Sequence, residues 1–554
     1  MSDATRGRLM APRVLDRAWG EFEHPAAFWF GVLASATGVA LHLPMYIGAR
    51  HMHYMMSGMH PDAAMITGMA LILVGLVAAL YGVLPARGGE IKKSAQRIRV
   101  TAIDDAPIRG QHVALLVVLA IAITIDVMKP ATLSFVAPGV AQEYGLKSPA
   151  NPHGHIPVSW LPLMGISGTV VGSLIWGWLG DRIGRRSSIL LAGILFVTTS
   201  ICGAMPGFYW NLLMCFLMGL GVGGMLPIAF ALMAETIPAR HRGWLMVLIG
   251  GDIAGAYVAT SWLAGWLTPT YSWRILWLIG LPTGLLFIAL NHWIPESPRY
   301  LIARGRKEEA SAIMARYGAT VREIPSDAEF AESAEGTVRS SGLRLLQRPF
   351  LGPTLAITVL ALGTGLVTYG FQLWVPTNLQ HLGFSAVKSD YVVRNAALLG
   401  LPFTVLVAIA YGWWGSRRTI VGLSVASALA LGGFVVAGNS LVHHHLALSL
   451  LLVVPLSAIS SVAAVVSAYA AEVYPTMLRS RGSGLAAGMT KLGGVLIIAI
   501  VVAAATIPSI AMTAVIGAVP LLLAAVLFLW IGPETKRRKL EEISSELLAT
   551  SQAA

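Results

Sequence analysis

The chain has 554 residues, of which 56% are hydrophobic and only 12% are charged. An average soluble protein has about 25% charged residues, so this composition excludes a soluble domain of the same length. It also excludes a disordered chain, which needs low hydrophobicity, and the count of two cysteines excludes a disulfide-stapled secreted scaffold. The chain is therefore predicted to be an all-α integral membrane protein with many spans of about 20 residues each.

The net charge of +12 favours a membrane topology over a nucleic-acid partner. Lysine and arginine occur in short loops between apolar runs, and the positive-inside rule explains this arrangement without any polyanion. We therefore expect a lipid membrane as the surroundings and no nucleic acid as a partner.

The first 110 residues contain two apolar runs, over 26–48 and 63–84. The first run is too long and too far from the start to be the apolar core of a signal peptide. A basic polar stretch follows over 86–110. Residues 1–110 are therefore predicted to be an N-terminal two-span extension with an outer loop and a basic cytoplasmic linker.

The outer loop of this extension is rich in methionine and histidine. Thioether and imidazole groups suit soft ions such as Cu(I), so a metal contact is one interpretation. The other is an interfacial helix with flexible methionine packing, and we assign no metal site from the sequence. The residues concerned are His42, Met45, His51, Met52, His53, Met55, Met56, Met59 and His60, with a second short histidine cluster at 443–445.

Twelve further apolar runs follow, and we number them core helices 1 to 12. The first six and the last six flank a long polar stretch, so the core is predicted to have an N-terminal half and a C-terminal half. The runs cover 112–137, 158–179, 188–205, 208–234, 244–267, 274–294, 352–377, 392–414, 419–437, 446–470, 484–505 and 509–531. With the extension they give fourteen predicted spans, in domains that cover 1–110 (extension), 111–298 (N-terminal six-helix bundle), 299–350 (cytoplasmic loop), 351–531 (C-terminal six-helix bundle) and 532–554 (cytoplasmic tail).

The basic loops set the predicted orientation. If both termini are cytoplasmic, all the strongly basic loops lie on the cytoplasmic side, as the positive-inside rule requires. These loops are 181–186, 239–243, 416–418, 479–482 and 536–539. The sequence therefore predicts a multi-pass protein of the inner (plasma) membrane with both termini in the cytoplasm.

The two halves of the core contain related sequences. GWLGDRIGRR at 177–186 follows core helix 2, and GWWGSRR at 412–418 follows core helix 8. The end of core helix 4, AETIPARHRG, similarly matches the end of core helix 10, AAEVYPTMLRSRG. Two related six-helix bundles are typical of pseudo-symmetric transporters. Aligning the two Gly-Trp-x-Gly segments places Ser416 at the position of Asp181.

Three of these segments carry a family resemblance. GWLGDRIGRR, IPESPRYLIARGRKEEA (294–310) and GPETKRRKLEE (532–542) resemble the loop and tail motifs of major facilitator superfamily transporters in the sugar-porter and metabolite:proton symporter branch. Core helix 1, TIDVMKPATLSFVAPGVAQEYGL (124–146), resembles the aromatic (organic) acid:proton symporters, with Lys129 where their second acid stands. The resemblance covers roughly residues 111–542. It implies a fold of two six-helix bundles and transport by alternating access.

The resemblance also implies a set of gating residues at the cytoplasmic side. In relatives, the acid that matches Asp181 bridges to the facing half, and the other charges form a network around it. The alternative is that these residues are only topology anchors or solvated surface charges. The set is Gly177, Gly180, Asp181, Arg182, Gly184, Arg185, Arg186, Glu235, Arg242, Glu296, Arg299, Glu472 and Arg481.

Ionisable residues at membrane depth are expensive and are usually functional. These residues and their polar neighbours are the predicted substrate and coupling site. Asp126 and Lys129, three residues apart on one helix, either neutralise each other or act separately, with Asp126 carrying a proton and Lys129 meeting an anion. Pro130 is expected to break the helix after them. The predicted site consists of Asp126, Lys129, Asp252, Tyr369, Gln372, Trp374, Arg394 and Lys491.

The predicted function is secondary active transport of a small organic solute, an organic anion or carboxylate, with protons. The alternatives are a drug or metal exporter whose Met/His loop contacts metal, and a non-transporting sensor built on a transporter scaffold. We see no catalytic constellation and no phosphate-binding glycine loop. We therefore expect a monomer that is not an enzyme and has no cofactor.

Overall fold

The computed structural model describes residues 24–83, 106–148, 151–304, 306–319, 345–371, 386–437, 445–504, 510–540, 542–543 and 546. Helices dominate these residues, and each of the fourteen predicted apolar runs contains one. This agrees with the all-α class expected from composition.

The extension and the N-terminal half come first. The two extension helices are Pro25–Ala40 and Ala63–Val83, with the short helices Leu43–Gly48 and Ala49–Met52 in the loop between them. Core helices 1 to 6 are, in order, Gly110–Tyr144, Trp160–Ile183, Arg185–Thr198 with Thr199–Ala204, Phe208–Val222 with Met225–Thr236, Ala239–Gly250 with Ile253–Tyr271, and Ile275–Leu278 with Gly280–Leu290.

The linking segment and the C-terminal half follow. Two short helices, Pro298–Ala303 and Lys307–Arg316, begin the polar stretch. Core helices 7 to 12 are Leu351–Gly370, Ala386–Trp414, Ser416–Ala437, His445–Val473, Thr476–Ala504 and Ile510–Ile531.

Within the described residues, 12 helical stretches are long and apolar enough to cross a membrane, and both extension helices are among them. In core helices 8 and 10 the apolar stretches over described residues are shorter, Pro402–Trp414 and Ser457–Val473. The count of fourteen spans and the domain limits therefore stay predictions.

Core helix 1 differs from the expectation. The helix runs unbroken from Gly110 to Tyr144 and contains both Pro130 and Pro138, so the predicted break at Pro130 is wrong. A proline has no amide hydrogen, so Pro130 instead frees the carbonyl of Asp126 from its helical hydrogen bond.

Glycines let several of these helices approach backbone to backbone. In core helix 4, a Cβ added at Gly223 would lie 2.6 Å from the backbone nitrogen of Ser173 in core helix 2. The sequence GLGVGG therefore serves helix packing, as predicted for a glycine-rich run inside a membrane helix.

The two extension helices pack through glycines spaced seven residues apart. Gly31 and Gly38 on the first helix face Gly68 and Gly75 on the second. A Cβ at Gly38 would lie 2.6 Å from the carbonyl oxygen of Gly68, which leaves no room for any side chain. A seven-residue repeat of small residues is the pattern expected for closely packed, gently supercoiled helices.

We predict that Gly38→Ala separates the extension helices, whereas Gly48→Ala does not. A Cβ at Gly48 has no heavy atom within 4 Å. Because both glycines lie in helices, alanine raises the helix propensity at both positions, and only the steric effect differs. Overpacking at Gly38 should lower the free energy of unfolding by about 1–3 kcal/mol. Thermal unfolding of the two purified variants checks this, and equal melting temperatures would contradict it.

Candidate substrate site and contacts between the halves

Two opposite charges near the middle of the molecule, one from each half, lie close enough to interact electrostatically. Asp126 lies 16 residues after Gly110 in core helix 1, and Lys491 lies 15 residues after Thr476 in core helix 11. At 1.5 Å per residue both are about 22–24 Å along their helices, close to mid-membrane depth. Asp126 is buried, and its charge interacts with that of Lys491.

Core helix 2 contributes the third member of this site. The Nζ of Lys491 donates a hydrogen bond to Ser173 Oγ at 3.3 Å. Ser173 Oγ lies 2.8 Å from the carbonyl oxygen of Thr169 and 2.9 Å from that of Gly223, so its hydrogen is directed to these carbonyls and its lone pairs face the lysine.

Lys129 does not belong to this site. Its Nζ lies 3.4 Å from Ser200 Oγ and 4.7 Å from the centre of the Phe196 ring, both on core helix 3, and 5.9 Å from the Trp277 ring on core helix 6. Within the described residues it forms no ion pair with Asp126, so mutual neutralisation is wrong. Three residues of spacing place the two side chains near one another on the helix, but each faces a different neighbouring helix.

Asp252 lies where core helix 5 is interrupted, between Ala239–Gly250 and Ile253–Tyr271. Its partner is the hydroxyl of Thr124 on core helix 1. Asp252 is half-buried, and it lies about 20 Å along core helix 5. It therefore stands at the same depth as the Asp126 and Lys491 pair, on another side of core helix 1.

Tyr369 on core helix 7 is the described aromatic member of the predicted site. Its ring occupies the space left by Gly494 on core helix 11, and it neighbours Tyr257 on core helix 5. The Tyr257 ring in turn lies 5.6 Å from that of Phe135. Gln372 and Trp374 lie outside the described residues, as does the side chain of Arg394.

At the end of the molecule that carries the basic loops, which we call the basic end, two ion pairs cross between the halves. Glu235 of core helix 4 accepts a hydrogen bond from Arg479 of core helix 11 at 2.9 Å. In the reciprocal pair, the Nε of Arg242 lies 3.7 Å from Glu472 of core helix 10. All four side chains are buried, so each pair is shielded from water.

A third contact between the halves, Asp181 with Arg481, has no counterpart at the matching positions of the described residues. Asp181 at the end of core helix 2 lies 3.4 Å from Arg185 and 3.8 Å from Arg481. The counterpart of Arg242 in the reciprocal ion pair is Arg479, which the predicted gating set does not include. Arg481 instead provides the contact to the facing half that the resemblance implied for Asp181.

The start of core helix 3 is capped by a carboxylate from a distant motif. The backbone amides of Arg185 and Arg186 donate to Glu296 at 2.9 and 3.3 Å. Gly184 has φ of +100°, and a Cβ there would collide with that carboxylate. Burial raises the pKa of the Glu296 carboxyl, and hydrogen bonds from the Ser297 and Arg185 amides oppose the shift.

Core helix 9 starts with the same arrangement. The backbone amides of Ser416 and Arg417 donate to Glu534 at 2.8 and 3.3 Å, and Gly415 has φ of +108°. Gly415 is thus the counterpart of Gly184, so Ser416 corresponds to Arg185 and not to Asp181. The residue at the Asp181 position is Gly412, which has no side chain, and this explains why the third inter-half contact has no reciprocal counterpart among the described residues.

The remaining predicted gating residues fall into two groups. A Cβ at Gly177 would lie 2.7 Å from the carbonyl oxygen of Ser480, and Gly180 faces the same residue, so both glycines let core helices 2 and 11 touch. Arg299 is buried, and its charge acts on Glu235. Arg182 is exposed over the Trp178 ring, as expected for a topology anchor.

The outer loop of the extension is docked on the opposite end of the N-terminal half. The backbone amides of Met56 and Ser57 donate to Glu143 at 2.7 and 3.0 Å, and Glu143 pairs with Arg274 at 2.5 Å. The histidines at 51, 53 and 60 are exposed. The described residues include no group of three or more His, Cys, Asp or Glu side chains placed to hold a metal, so the metal contact stays a prediction.

Sequence reasoning missed four residues that these contacts use. Arg479 and Glu534 had a signal, because Arg479 lies in a segment matched between the halves and Glu534 lies in a motif that carries the family resemblance. Glu143 and Arg274 had none, since they are single charges at helix ends whose partners lie far away in the chain.

Comparison with known proteins identifies the family. The family described as "Sugar (and other) transporter" matches residues 135–547 of the 554-residue chain. The chain belongs to this family. It is a membrane transporter of the major facilitator superfamily and not an enzyme, as the three motifs predicted. The match starts inside core helix 1 and leaves out the extension.

Several curated relatives of this transporter are named for organic acids. A niacin transporter of Acinetobacter baylyi is 26% identical over 400 residues, which cover 72% of this chain and 88% of the relative. A gallate transporter of Pseudomonas putida is 28% identical and covers 71% of this chain and 85% of its own length. A 4-hydroxybenzoate transporter of Acinetobacter baylyi is 25% identical over the same shares, 71% and 85%.

Solved structures share the fold of the transporter. The proton:xylose symporter XylE bound to 6-bromo-6-deoxy-D-glucose superposes with a TM-score of 0.64 at 21% identity, over 79% of this chain and 99% of that one. The human organic anion transporter MFSD10 gives a TM-score of 0.55 at 16% identity, over 76% of this chain and 100% of that one.

We predict that Arg479→Met opens the basic end. Removing one partner of a buried ion pair costs about 3–5 kcal/mol, and here the loss falls on the state in which the halves touch. Nitroxide labels at Arg240→Cys and Arg418→Cys, exposed positions on opposite halves, should show a larger population at long distance by electron–electron resonance.

The matched control is Arg182→Met, which removes a charge from the same end without touching the other half. The native Cys202 and Cys215 are buried and should not take up label. An unchanged distance distribution in Arg479→Met, or an equal shift in Arg182→Met, would contradict the role of the inter-half pair.

Proposed function

We propose that this transporter moves a small organic anion, a carboxylate, together with a proton by alternating access. The observation that carries this proposal is the Asp126–Lys491 pair, because its two opposite charges come from the two halves at mid-membrane depth. A substrate bound between the halves at that depth would meet a cation, Lys491, that already has an exchangeable anionic partner.

Charge balance supports coupling to a proton. A carboxylate that binds Lys491 competes with Asp126 for the same ammonium group. The displaced Asp126 would then be an unpaired charge at membrane depth, which costs several kcal/mol. Taking up one proton on Asp126 removes that charge, so substrate and proton favour each other's binding. When both leave, the Asp126–Lys491 pair re-forms and the empty carrier is again neutral.

The aromatic side chains support an aromatic or otherwise planar acid. Tyr369, Tyr257 and Phe135 lie on core helices 7, 5 and 1 and neighbour one another across these helices. Rings of this kind bury the apolar body of such a substrate while Lys491 binds its carboxylate. The relatives named for niacin, gallate and 4-hydroxybenzoate point to the same substrate class.

The inter-half contacts at the basic end would act as the gate. The pairs Glu235–Arg479 and Arg242–Glu472 and the contact Asp181–Arg481 must break for that end to open. With the positive-inside rule, the basic end faces the cytoplasm and both termini are cytoplasmic. We further propose that the protein lies in the inner (plasma) membrane and works as a monomer.

Lys491→Gln should impair uptake of a carboxylate far more than Lys129→Met. Losing one charge-assisted hydrogen bond costs about 1.5–3 kcal/mol, so the KM should rise about 10- to 100-fold. Proteoliposomes with an alkaline interior, supplied with labelled nicotinate, gallate or 4-hydroxybenzoate, measure this directly.

Lys129→Met is the matched control because it removes a buried cation that faces only the N-terminal half. It should leave KM within about threefold, since replacing a buried charge by an apolar side chain of similar size is often tolerated. Equal effects of the two substitutions, or uptake of organic cations in place of acids, would overturn the proposal.

A further inference from the structure

His42 is a buried histidine at the outer end of the extension. It follows the first extension helix, and its ring lies against Gly68 of the second, since a Cβ added at Gly68 would lie 2.7 Å from the ring carbon Cε1. The ring is fully buried, whereas the histidines at 51, 53 and 60 are exposed. In contrast to these three, His42 is held in place by the packing of the two helices.

The hydrogen bond of the ring determines which of its nitrogens is free. Nδ1 of His42 lies 2.8 Å from the carbonyl oxygen of Gly38. A carbonyl can only accept, so Nδ1 carries the hydrogen and the neutral ring presents a lone pair at Nε2. Nε2 is buried and has no hydrogen-bond partner among the described residues. Ligating histidines in proteins characteristically donate one ring N–H to a carbonyl or carboxylate and bind the ion with the other nitrogen.

Two buried methionines lie near this free nitrogen in the fold. Gly38 and Gly68 face one another across the helix pair. His42 lies one turn beyond Gly38 and Met65 one turn beyond Gly68, both towards the outer loop, and Met45 follows His42 by three residues. Met65 and Met45 are both buried. The three side chains therefore occupy one buried layer at the outer end of the helix pair, with donors from both helices.

The charge in this layer suits a monovalent cation. Asp62 stands at the start of the second extension helix, where its Oδ1 accepts a hydrogen bond from the Met65 amide at 2.7 Å, and its charge acts on His42. A neutral imidazole and two thioethers bring no charge of their own. One positive charge bound by them would be balanced by this single carboxylate.

We propose that His42, Met45 and Met65 form a binding site for a soft monovalent metal ion, Cu(I) or Ag(I), which joins the two extension helices at their outer end. Thioether ligands select soft ions over hard ones such as Mg²⁺ and Ca²⁺, and imidazole suits copper as well. This site differs from a metal contact on the surface of the loop, because the exposed histidines take no part in it. It lies in the extension, outside residues 135–547 that match the family, and does not depend on the proposed transport.

Metal titration of the purified protein tests the assignment. The titration uses Ag(I), and Cu(I) under reducing conditions against a chromogenic Cu(I) chelator, in a Cys202→Ser and Cys215→Ser background that contains no thiol. One ion should bind per chain, and Ag(I) should raise the melting temperature because it binds the folded state.

Met45→Leu and Met65→Leu should each weaken binding by about tenfold or more. Leucine conserves the apolar volume but has no sulfur, so the melting temperature of the metal-free protein should change little. Met55→Leu is the matched control, since Met55 is an exposed methionine of the same loop, and it should bind Ag(I) with unchanged affinity.

A triple variant, His51→Ala with His53→Ala and His60→Ala, removes the exposed histidines and should also keep its affinity. If this variant loses the ion while Met45→Leu and Met65→Leu retain it, the exposed histidines bind the metal and the proposal is wrong. Absence of stoichiometric binding in the protein with all three histidines would overturn it equally.

X-ray absorption spectroscopy covers the case in which a variant fails to fold. In the native sequence labelled with selenomethionine, the spectrum of bound Cu(I) should show selenium neighbours together with a nitrogen neighbour. Selenium distinguishes methionine from the two cysteines, so no substitution is needed. A copper ion with no selenium neighbour would show that the thioether assignment is wrong.

Discussion

The cost of holding a charge away from water is the constraint that shapes this protein. A buried charge is tolerated only with a partner, and here the partners of the key charges lie in the other half of the molecule. Glu235 is satisfied by Arg185 from its own half and Arg479 from the other, and Asp126 depends on Lys491. The two halves are therefore held together by the charged groups that would cost the most free energy if they were buried without a partner. Moving the halves apart exposes these groups to water at one end, and water then replaces the lost partner.

This constraint links the gate to the substrate site. At the basic end, water replaces the ion-pair partner of each charge, because these charges meet the solvent when that end opens. At mid-membrane depth the exchangeable partner is the substrate itself, with a proton to balance the charge. Core helix 11 carries Arg479, Arg481 and Lys491, so one helix takes part in both kinds of exchange.

Much of the architecture is predictable from the sequence, because hydropathy and loop charge act over long segments. The apolar runs agree with the observed helices, and the basic loops meet at one end through contacts such as Arg242 to the Arg538 carbonyl. It is harder to predict which residues of a motif correspond between the two halves. Arg479 and Arg481 both suit the match to Arg242, and only the observed partners separate them. Ser416 was misplaced because the second half lacks three residues of the loop, and glycine conformation reveals the shift.

The sequence also does not predict which neighbouring helix each side chain faces. Asp126 and Lys129 share a helix face by spacing, yet neighbouring helices decide what each one meets, and Gly280 leaves the space that Lys129 occupies. The hydrogen bond between Thr124 and Asp252 also depends on where core helix 5 is interrupted. Such contacts join residues far apart in the chain, and no local pattern encodes them.

The paired caps at Gly184 and Gly415 have a consequence for how this sequence can vary over evolution. At each position two requirements coincide, a left-handed backbone and an empty space beside a carboxylate, and only glycine meets both. Gly265 and Gly422 meet neither requirement, since a Cβ at either has no neighbour within 4 Å. Substitutions should therefore accumulate at 265 and 422 while 184 and 415 stay fixed, in both halves alike. The two caps would then remain recognisable as copies of one ancestral helix start long after the surrounding residues have diverged.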